Sequence, residues 1–327
     1  MKKSLIALAA LAAVTAASAQ SSVTLSGSLS FGYSKAATNA GVETRNIAPV
    51  DAFNSNNFTL TATEDLGGGL KATGVIMQRK GDDNTDAVTG DMYLDVSGAF
   101  GAVRIGQWTW NSLSSYNAFA SRSATTLAGT AATGVGGNDS ISYTTPAFNG
   151  FTASVGYTAR PLSTAGETSD GVGVKATYSA GPLSVQVAST RAATRASGDG
   201  ATVQSLGATY DLGVAKVFFN TYDQAAGQTL LALNAVGARL DEKGNSFSVA
   251  VPVGALTLKA GIINRSVNTA TTASADTNPG AIDRVAIGAD YALSKRTSLI
   301  ADFGSQKQAV TGLVKATTFH IGALHTF

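Results

Sequence analysis

Apolar and polar residues alternate with a period of two along much of the chain. Between Asn57 and Thr63 every second residue is apolar, and the residues between them are Asn or Thr. The same alternation recurs within residues 151–158, 172–179, 183–187 and 284–291. A β-strand with one apolar and one polar face has this period, whereas an amphipathic helix needs apolar residues three and four positions apart. The pattern predicts an all-β protein whose strands separate two unlike environments.

The connections between the strands fall into two length classes that alternate along the chain. Seven are short turns, at residues 65–69, 98–101, 147–150, 180–182, 212–213, 252–254 and 294–296. Eight are longer and polar, at residues 35–51, 80–89, 110–137, 160–169, 193–200, 224–244, 266–280 and 308–314. Together they join about sixteen strands, and alternating turns and loops are typical of an up-and-down barrel. We predict a transmembrane antiparallel β-barrel with short periplasmic turns and long extracellular loops.

The first nineteen residues have the features of an export signal. Lys2 and Lys3 precede a short apolar run at 5–14, and small residues at 17–19 provide a cleavage site. The run is too short for a membrane-spanning helix, which needs about 20 residues. We therefore predict a cleaved signal peptide at 1–19 and a barrel domain at 20–327. Removal of the signal peptide takes away two lysines. This leaves 23 − 2 = 21 Lys and Arg against 21 Asp and Glu, so the mature chain is neutral.

The amino-acid composition argues against several classes of protein and several kinds of active-site chemistry. The chain has no Cys and 2 His, which argues against thiolate chemistry and against most metal sites. Charged residues make up 13%, well below the roughly 25% of soluble domains. A soluble β-sandwich of this length is the alternative fold, but its polar faces would carry more charge. We expect no metal, no cofactor, no enzymatic activity and no nucleic-acid partner.

Several sequence blocks resemble the general porins of Gram-negative bacteria, in particular the beta-proteobacterial group of Neisseria and Burkholderia-like members. These blocks are residues 20–25, 64–72, 96–106, 138–143, 148–151, 288–297 and 322–327. The resemblance covers essentially the whole mature chain. It implies a homotrimer in the outer membrane, in contact with lipid and lipopolysaccharide, through which small hydrophilic solutes and ions diffuse passively. In this family the outer-membrane assembly machinery also recognises a C-terminal aromatic residue, here Phe327.

The resemblance also places the third long loop, at 110–137, inside the barrel, where it narrows the lumen. Its one charged residue is Arg122. The other loop residues expected at the constriction are Trp110, Tyr116, Asn117 and Phe119. The family commonly has arginines at three wall positions that are occupied here by Asn57, Thr61 and Gln107. The loss of these arginines argues against strong ion selectivity.

Alternation places charged residues on the polar faces of the strands. The clearest bases are Arg104, Lys175, Lys259 and Arg284, and the matching acids are Asp95, Asp290 and Asp302. A lipid-facing Lys or Arg near the bilayer midplane would cost about 2 to 4 kcal/mol, so we assign these charges to the pore wall. The alternative is that they lie in solvated rims at the strand ends. We expect a weak to moderate anion preference, which Arg104→Ala should lower.

Three other functions are open at this point. A hydrolase would need a Ser/His dyad, but His320 and His325 lie on opposite faces of one strand and in no nucleophile motif. A channel specific for sugars or organic anions would use an aromatic track such as Trp108, Trp110, Tyr116 and Phe119. Trp108 and Trp110 fit better as membrane-interface aromatics at a strand end. The third alternative is a non-conducting adhesin barrel.

Overall fold

The structure is a computed structural model, and it describes eleven stretches of the chain. They are residues 21–37, 43–49, 56–80, 87–110, 113–119, 139–159, 170–191, 202–225, 239–270, 282–308 and 315–327. The predicted signal peptide at 1–19 and Arg122 lie outside these residues, so both remain predictions.

Seventeen β-strands form one antiparallel sheet that closes on itself. They are β1 (Ser22–Ala37), β2 (Glu43–Pro49), β3 (Asn56–Gly67), β4 (Leu70–Lys80), β5 (Ala87–Gly98), β6 (Gly101–Gln107), β7 (Ser140–Thr144), β8 (Phe151–Thr158), β9 (Gly171–Ala180), β10 (Leu183–Arg191), β11 (Thr202–Asp211), β12 (Lys216–Ala225), β13 (Arg239–Val253), β14 (Leu256–Ala270), β15 (Ile282–Ala292), β16 (Thr297–Gln308) and β17 (Ala316–Thr326). Within the described stretches, a single 3-10 turn at Ser114–Tyr116 is the only helical element. No helix there is long and apolar enough to cross a membrane.

Strand β1 closes the barrel. It also explains why the seventeen strands form a barrel with the circumference of sixteen. Its residues 22–28 pair with β3, its residues 31–37 pair with β2, and its other edge pairs with β17. Strands β2 and β3 therefore share one position in the ring. The prediction of about sixteen strands is confirmed.

The prediction of a loop over residues 35–51 is wrong where β2 pairs with β1. The outer face of this hairpin carries three charged side chains. Glu43 Oε1 lies 2.9 Å from Lys35 Nζ, and Glu43 Oε2 lies 3.3 Å from Arg45 Nη2. A strand that carries charge outward lies beyond the hydrocarbon layer and needs no apolar face. Apolar alternation therefore could not reveal it.

The apolar face of the barrel is outside and the polar face is inside. Phe58, Val155 and Val174 are about half exposed on the outer surface, whereas Thr190 and Ser248 are almost completely buried on the inner one. A soluble protein would have the opposite arrangement. Lipid outside and a polar lumen inside account for both faces.

All seven predicted short turns join consecutive strands, and the long connections lie at the opposite end of the barrel. Some long connections are shorter than predicted. Strand β5 begins at Ala87, β13 begins at Arg239 and β14 continues to Ala270. The pairing of β13 with β14 continues as far as Arg239 and Ala270. The pairing of β14 with β15 ends earlier, at Arg265 and Ile282.

The C-terminal Phe327 lies at the seam of the barrel. Its backbone N–H donates to the carbonyl oxygen of Gly27 at 3.1 Å, and the Gly27 N–H donates to the Phe327 carbonyl oxygen at 3.0 Å. The aromatic ring lies over Gly27 on the outer face. Phe327 therefore continues the pairing of β1 and β17 to the last residue.

Candidate functional site: the lumen and its inserted loop

The chain turns into the lumen directly after β6. Trp108 and Trp110 are only 6% and 3% exposed, and Trp108 lies near the lumen residue Arg104. The carbonyl oxygen of Trp110 accepts a hydrogen bond of 3.0 Å from Lys175 Nζ on β9, and this ammonium lies 4.8 Å from the Trp110 ring centroid. The interpretation of the two tryptophans as membrane-interface aromatics is therefore wrong.

The described part of the loop at 113–119, which we call the inserted segment, reaches the far side of the barrel. Asn220 on β12 donates a hydrogen bond of 3.0 Å to the carbonyl oxygen of Tyr116. The N–H of Ala118 donates to Ser248 Oγ on β13 at 2.9 Å. Strands β6 and β12 are six positions apart in the ring. The prediction that the third long loop folds into the lumen is confirmed.

The inserted segment rests on the inner face of β11–β16, which we call the landing wall. Leu113 and Tyr116 pack against Val203 and Tyr222 in one buried cluster. A second cluster contains Ala118 and Phe119 from the segment, with Ile263, Ala286 and Phe218 from the wall. These inward apolar side chains exclude water from the contact and hold the segment there. Sequence reasoning missed this role. Its signal in the sequence is that Phe218 and Tyr222 share the parity of Lys216 on one strand, a face where a water-filled lumen predicts polar residues.

Two glycines let the segment approach the landing wall closely. A Cβ atom at Gly207 would overlap the Tyr116 ring, and one at Gly288 would lie 2.9 Å from the Phe119 ring. Only glycine leaves room for a side chain at such a distance from the backbone. Asn117 Oδ1 accepts a 2.9 Å hydrogen bond from the Phe119 N–H and so fixes the local turn. Burial raises the pKa of the Tyr116 phenol.

The opposite inner face, on β5–β9, carries the charges nearest the loop entrance, and we call it the open wall. Arg104 donates two hydrogen bonds of 2.7 Å to the carboxylate of Asp95. Its guanidinium lies 3.7 Å from the ring centroid of Tyr93 and 5.6 Å from that of Trp108. Such a bidentate pair fixes the guanidinium and neutralises its charge.

A cavity of about 260 Å³ lies between the open wall and the two tryptophans. Asp95, Arg104 and Lys175 contribute its charges. Hydroxyl groups line much of the rest, from Ser142, Thr144, Thr152, Ser154 and Thr177. Among the residues that the structure describes, no acidic side chain forms an ion pair with Lys175, which instead contacts Trp110.

The other charged residues that the sequence predicted for the pore wall lie on the landing wall. Lys259 Nζ forms an ion pair of 2.5 Å with Asp290. Arg284 donates to Gln306 Oε1, with its Nε at 3.1 Å. Asp302 is 2% exposed and pairs in register with His320 on the neighbouring strand.

The three neutral positions at which the resemblance leads us to expect arginines lie in two environments. Asn57 donates a 3.0 Å hydrogen bond to Ser28 Oγ, and Thr61 is half-buried on the same inner face. Gln107 pairs with Met92, whose side chain faces outward, and residues paired across strands share a face. Gln107 is therefore not part of the pore wall proposed below.

The closed sheet, its apolar exterior and its loop-narrowed polar lumen define a membrane-spanning channel. The Gram-negative porin family matches residues 7–309, and the chain belongs to this family. Outer membrane porin protein 32 of Delftia acidovorans is 35% identical over 238 residues, and the match covers 66% of this chain and 68% of that protein. The protein is thus a channel of the outer membrane through which small hydrophilic solutes and ions diffuse passively.

Solved structures show the same fold at lower identity. An anion-selective porin from Comamonas acidovorans superposes with a TM-score of 0.76 at 24% identity, over 94% of this chain and 100% of that one. The outer membrane protein OmpT of Vibrio cholerae superposes with a TM-score of 0.67 at 16% identity, over 94% and 98% of the two chains.

Proposed function

We propose that the pore prefers anions weakly to moderately and that Lys175 is the main source of this preference. The observation that carries the proposal is the difference between the wall bases. Arg104 and Lys259 each form an ion pair with a carboxylate, and Arg284 donates to Gln306 on the landing wall. Lys175 differs from them because it lines the cavity at the loop entrance, beside a carbonyl oxygen and an aromatic ring. The similarity to a solved porin that is anion-selective supports the same sign of selectivity.

The expected strength follows from the charge of one ammonium in a water-filled lumen. At about 8 Å in water, a unit charge stabilises an anion and destabilises a cation by about 0.5 kcal/mol each. Salt screens part of this effect, so one such charge changes the anion-to-cation permeability ratio by about two- to fivefold. The proposed preference is therefore modest.

The test is the reversal potential of single channels in a KCl gradient. The original protein should show anion preference, and Lys175→Gln should lower it because the substitution removes the charge. Lys295→Gln is the control, since Lys295 lies in the exposed turn between β15 and β16. Cation selectivity of the original protein, or an unchanged reversal potential in Lys175→Gln, would contradict the proposal.

The proposed assembly follows from membership of the family. We propose export with cleavage after residue 19, recognition of Phe327 by the assembly machinery, and a homotrimer surrounded by outer-membrane lipid and lipopolysaccharide. Chemical cross-linking of the folded protein should yield a trimer band, and without cross-linking an unheated sample should migrate as a trimer that heating converts to monomer. A monomer band alone would contradict the trimer.

A channel specific for sugars or organic anions is the second candidate. The hydroxyl-lined cavity next to Trp108 and Trp110 favours it, because hydroxyl groups and aromatic rings can both contact a sugar. Such a channel would show saturable block of its conductance by the solute, which a general porin would not. A non-conducting adhesin would show no conductance in the same bilayer.

We propose no catalytic role for the two histidines. His320 is buried on the inner face, whereas His325 is exposed and its Nδ1 lies 2.9 Å from Thr297 Oγ1. In the described part of the chain, no three His, Cys, Asp or Glu side chains are grouped so that they could hold a metal ion. Esterase activity of the folded protein would contradict this proposal.

A further inference from the structure

Two titratable side chains lie buried beside the contact between Phe119 and the landing wall. Asp302 on β16 and His320 on β17 are opposite each other in register, and each is only 2% exposed. A Cβ atom at Gly288 would overlap Asp302 Oδ1 and would lie 2.9 Å from the Phe119 ring. The carboxylate and the ring therefore meet over the same glycine. Phe119 covers a buried acid, and a histidine lies directly beside that acid.

One ammonium and two carboxylates lie around Gly288 on the inner face of the barrel. Lys259 is opposite Gly288 in register, and its Nζ lies 2.5 Å from Asp290 Oδ2. Asp290 is on the same strand as Gly288, and Asp302 is opposite Gly288 on the other side. With both carboxylates ionised, these three side chains carry a net charge of 1 − 2 = −1. A protonated His320 brings the four side chains to neutrality.

The other neighbours of the buried pair do not change this balance. Ser34 on β1 is opposite His320 on its far side. The inserted segment contains no charged residue, and its one titratable group, the Tyr116 phenol, belongs to the other buried cluster. Arg284 and Arg265 face the lumen nearer to the long connections, where Arg284 donates to a glutamine. The charge directly beside the buried carboxylate is therefore set by His320.

We propose that protonated His320 keeps the inserted segment on the landing wall and that deprotonation of His320 releases the segment. A buried carboxylate that loses its counter-charge is costly, because burial penalises the charged form. This cost falls when Phe119 moves away and water reaches Asp302. The covered state therefore binds the proton more tightly than the released state, and rising pH favours release. The lumen is narrower in acid and wider in alkali, independently of the ion preference.

The histidine content of the chain makes this proposal testable. Histidine is the side chain whose ordinary pKa lies between about pH 5 and pH 8. The chain has 2 His, and the second, His325, is exposed on the opposite face of β17. A response of the channel in this pH range can therefore be assigned by replacing His320 and His325 one at a time. His325→Gln is the matched control for His320→Gln.

The experiment records the single-channel conductance and the open-channel current noise of the folded full-length protein at about pH 5.5 and about pH 8.5, on either side of the range in which histidine titrates. The original protein and His325→Gln should show higher conductance and severalfold higher noise at the higher pH. His320→Gln carries no proton, so its conductance should be high at both pH values. Asp302→Asn removes the charge that needs the proton, so its conductance should be low at both. Phe119→Ala should be high at both, because the segment is already released.

The double variant His320→Gln with Asp302→Asn separates charge from packing. Lys259 and Asp290 then balance each other, so the conductance should return to the low value at both pH values. A double variant as open as His320→Gln would overturn the proposal, because lost packing would explain the release. A pH response that persists in His320→Gln, or that disappears in His325→Gln, would also overturn it. Asp302→Asn and the double variant decide the question even where His320→Gln yields no folded channel.

Discussion

The open wall and the landing wall belong to one sheet and have the same alternation, yet their inner faces differ in chemistry. The open wall presents Arg104, Lys175 and a series of hydroxyl groups. The landing wall presents Val203, Tyr222 and Ile263 to the inserted segment. The first wall meets the solute path with charge and hydroxyl groups, whereas the second holds the loop with apolar contacts. The landing wall therefore holds the inserted segment, whereas the proposed main source of the ion preference lies on the open wall.

The largest effect is expected from the side chain of the segment that the landing wall buries most completely. Phe119 is completely buried, and Phe119→Ala should remove about 3 to 5 kcal/mol of contact with the landing wall. The segment should then leave the wall, and single-channel conductance should rise. Phe100→Ala is the control, because Phe100 is exposed in a short turn. Unchanged conductance in Phe119→Ala would mean that other contacts hold the segment.

A smaller effect is expected from adding one methyl group under the segment. Gly207→Ala places a Cβ in the space of the Tyr116 ring, and such overpacking costs about 1 to 3 kcal/mol. Open-channel current noise should increase because the segment no longer fits against the wall. Gly74→Ala should leave the noise unchanged, since no atom lies within 4 Å of a Cβ there. Equal noise in both variants would refute the close fit.

The hydrogen bond from Asn220 should contribute less than either packing contact. Asn220→Leu removes the donor to the Tyr116 carbonyl oxygen, which costs about 1 kcal/mol. We expect a small rise in current noise, below that of Gly207→Ala. Asn57→Leu is the matched control, because its hydrogen bond to Ser28 joins β3 to β1, away from the landing wall. A larger effect from Asn220→Leu than from Phe119→Ala would reverse the assigned roles of burial and hydrogen bonding.

The smallest effect is expected on the open wall. Arg104→Ala should lower the anion-to-cation permeability ratio by about two- to fivefold, because the carboxylate of Asp95 is left without its ion-pair partner. The double variant with Asp95→Asn should restore the ratio, since the original pair carries no net charge. Reversal potentials in a KCl gradient give both values. A ratio that stays low in the double variant would show that Arg104 acts as a net charge.

Most of the fold was predictable from the sequence because each strand must match lipid on one side and water on the other. This requirement gives Phe58 and Thr59 opposite faces and made all seven short turns recognisable. It does not apply beyond the hydrocarbon layer, and strand β2 was missed for that reason.

The functional site was only partly predictable. Alternation predicted an inward face for Lys175 and Arg104, because a charge in lipid is costly. The pairing of Arg104 with Asp95 was missed, although the short turn between Gly98 and Gly101 fixes the register of β5 and β6 and places the two residues opposite each other. Alternation could not identify the landing wall, whose inward apolar residues contradict the pattern of a water-filled lumen. Their role is visible only once the loop lies on them.

The attachment of one loop to distant strands also has a mechanical consequence. The chain is fixed at Lys175 on β9 and again at Asn220 and Ser248 on β12 and β13. A tube with an internal tie between separated parts of its wall resists flattening in that direction. Lateral pressure from the membrane would therefore deform the ring and the tie together. The cross-section of the barrel and the width of the solute path are mechanically coupled.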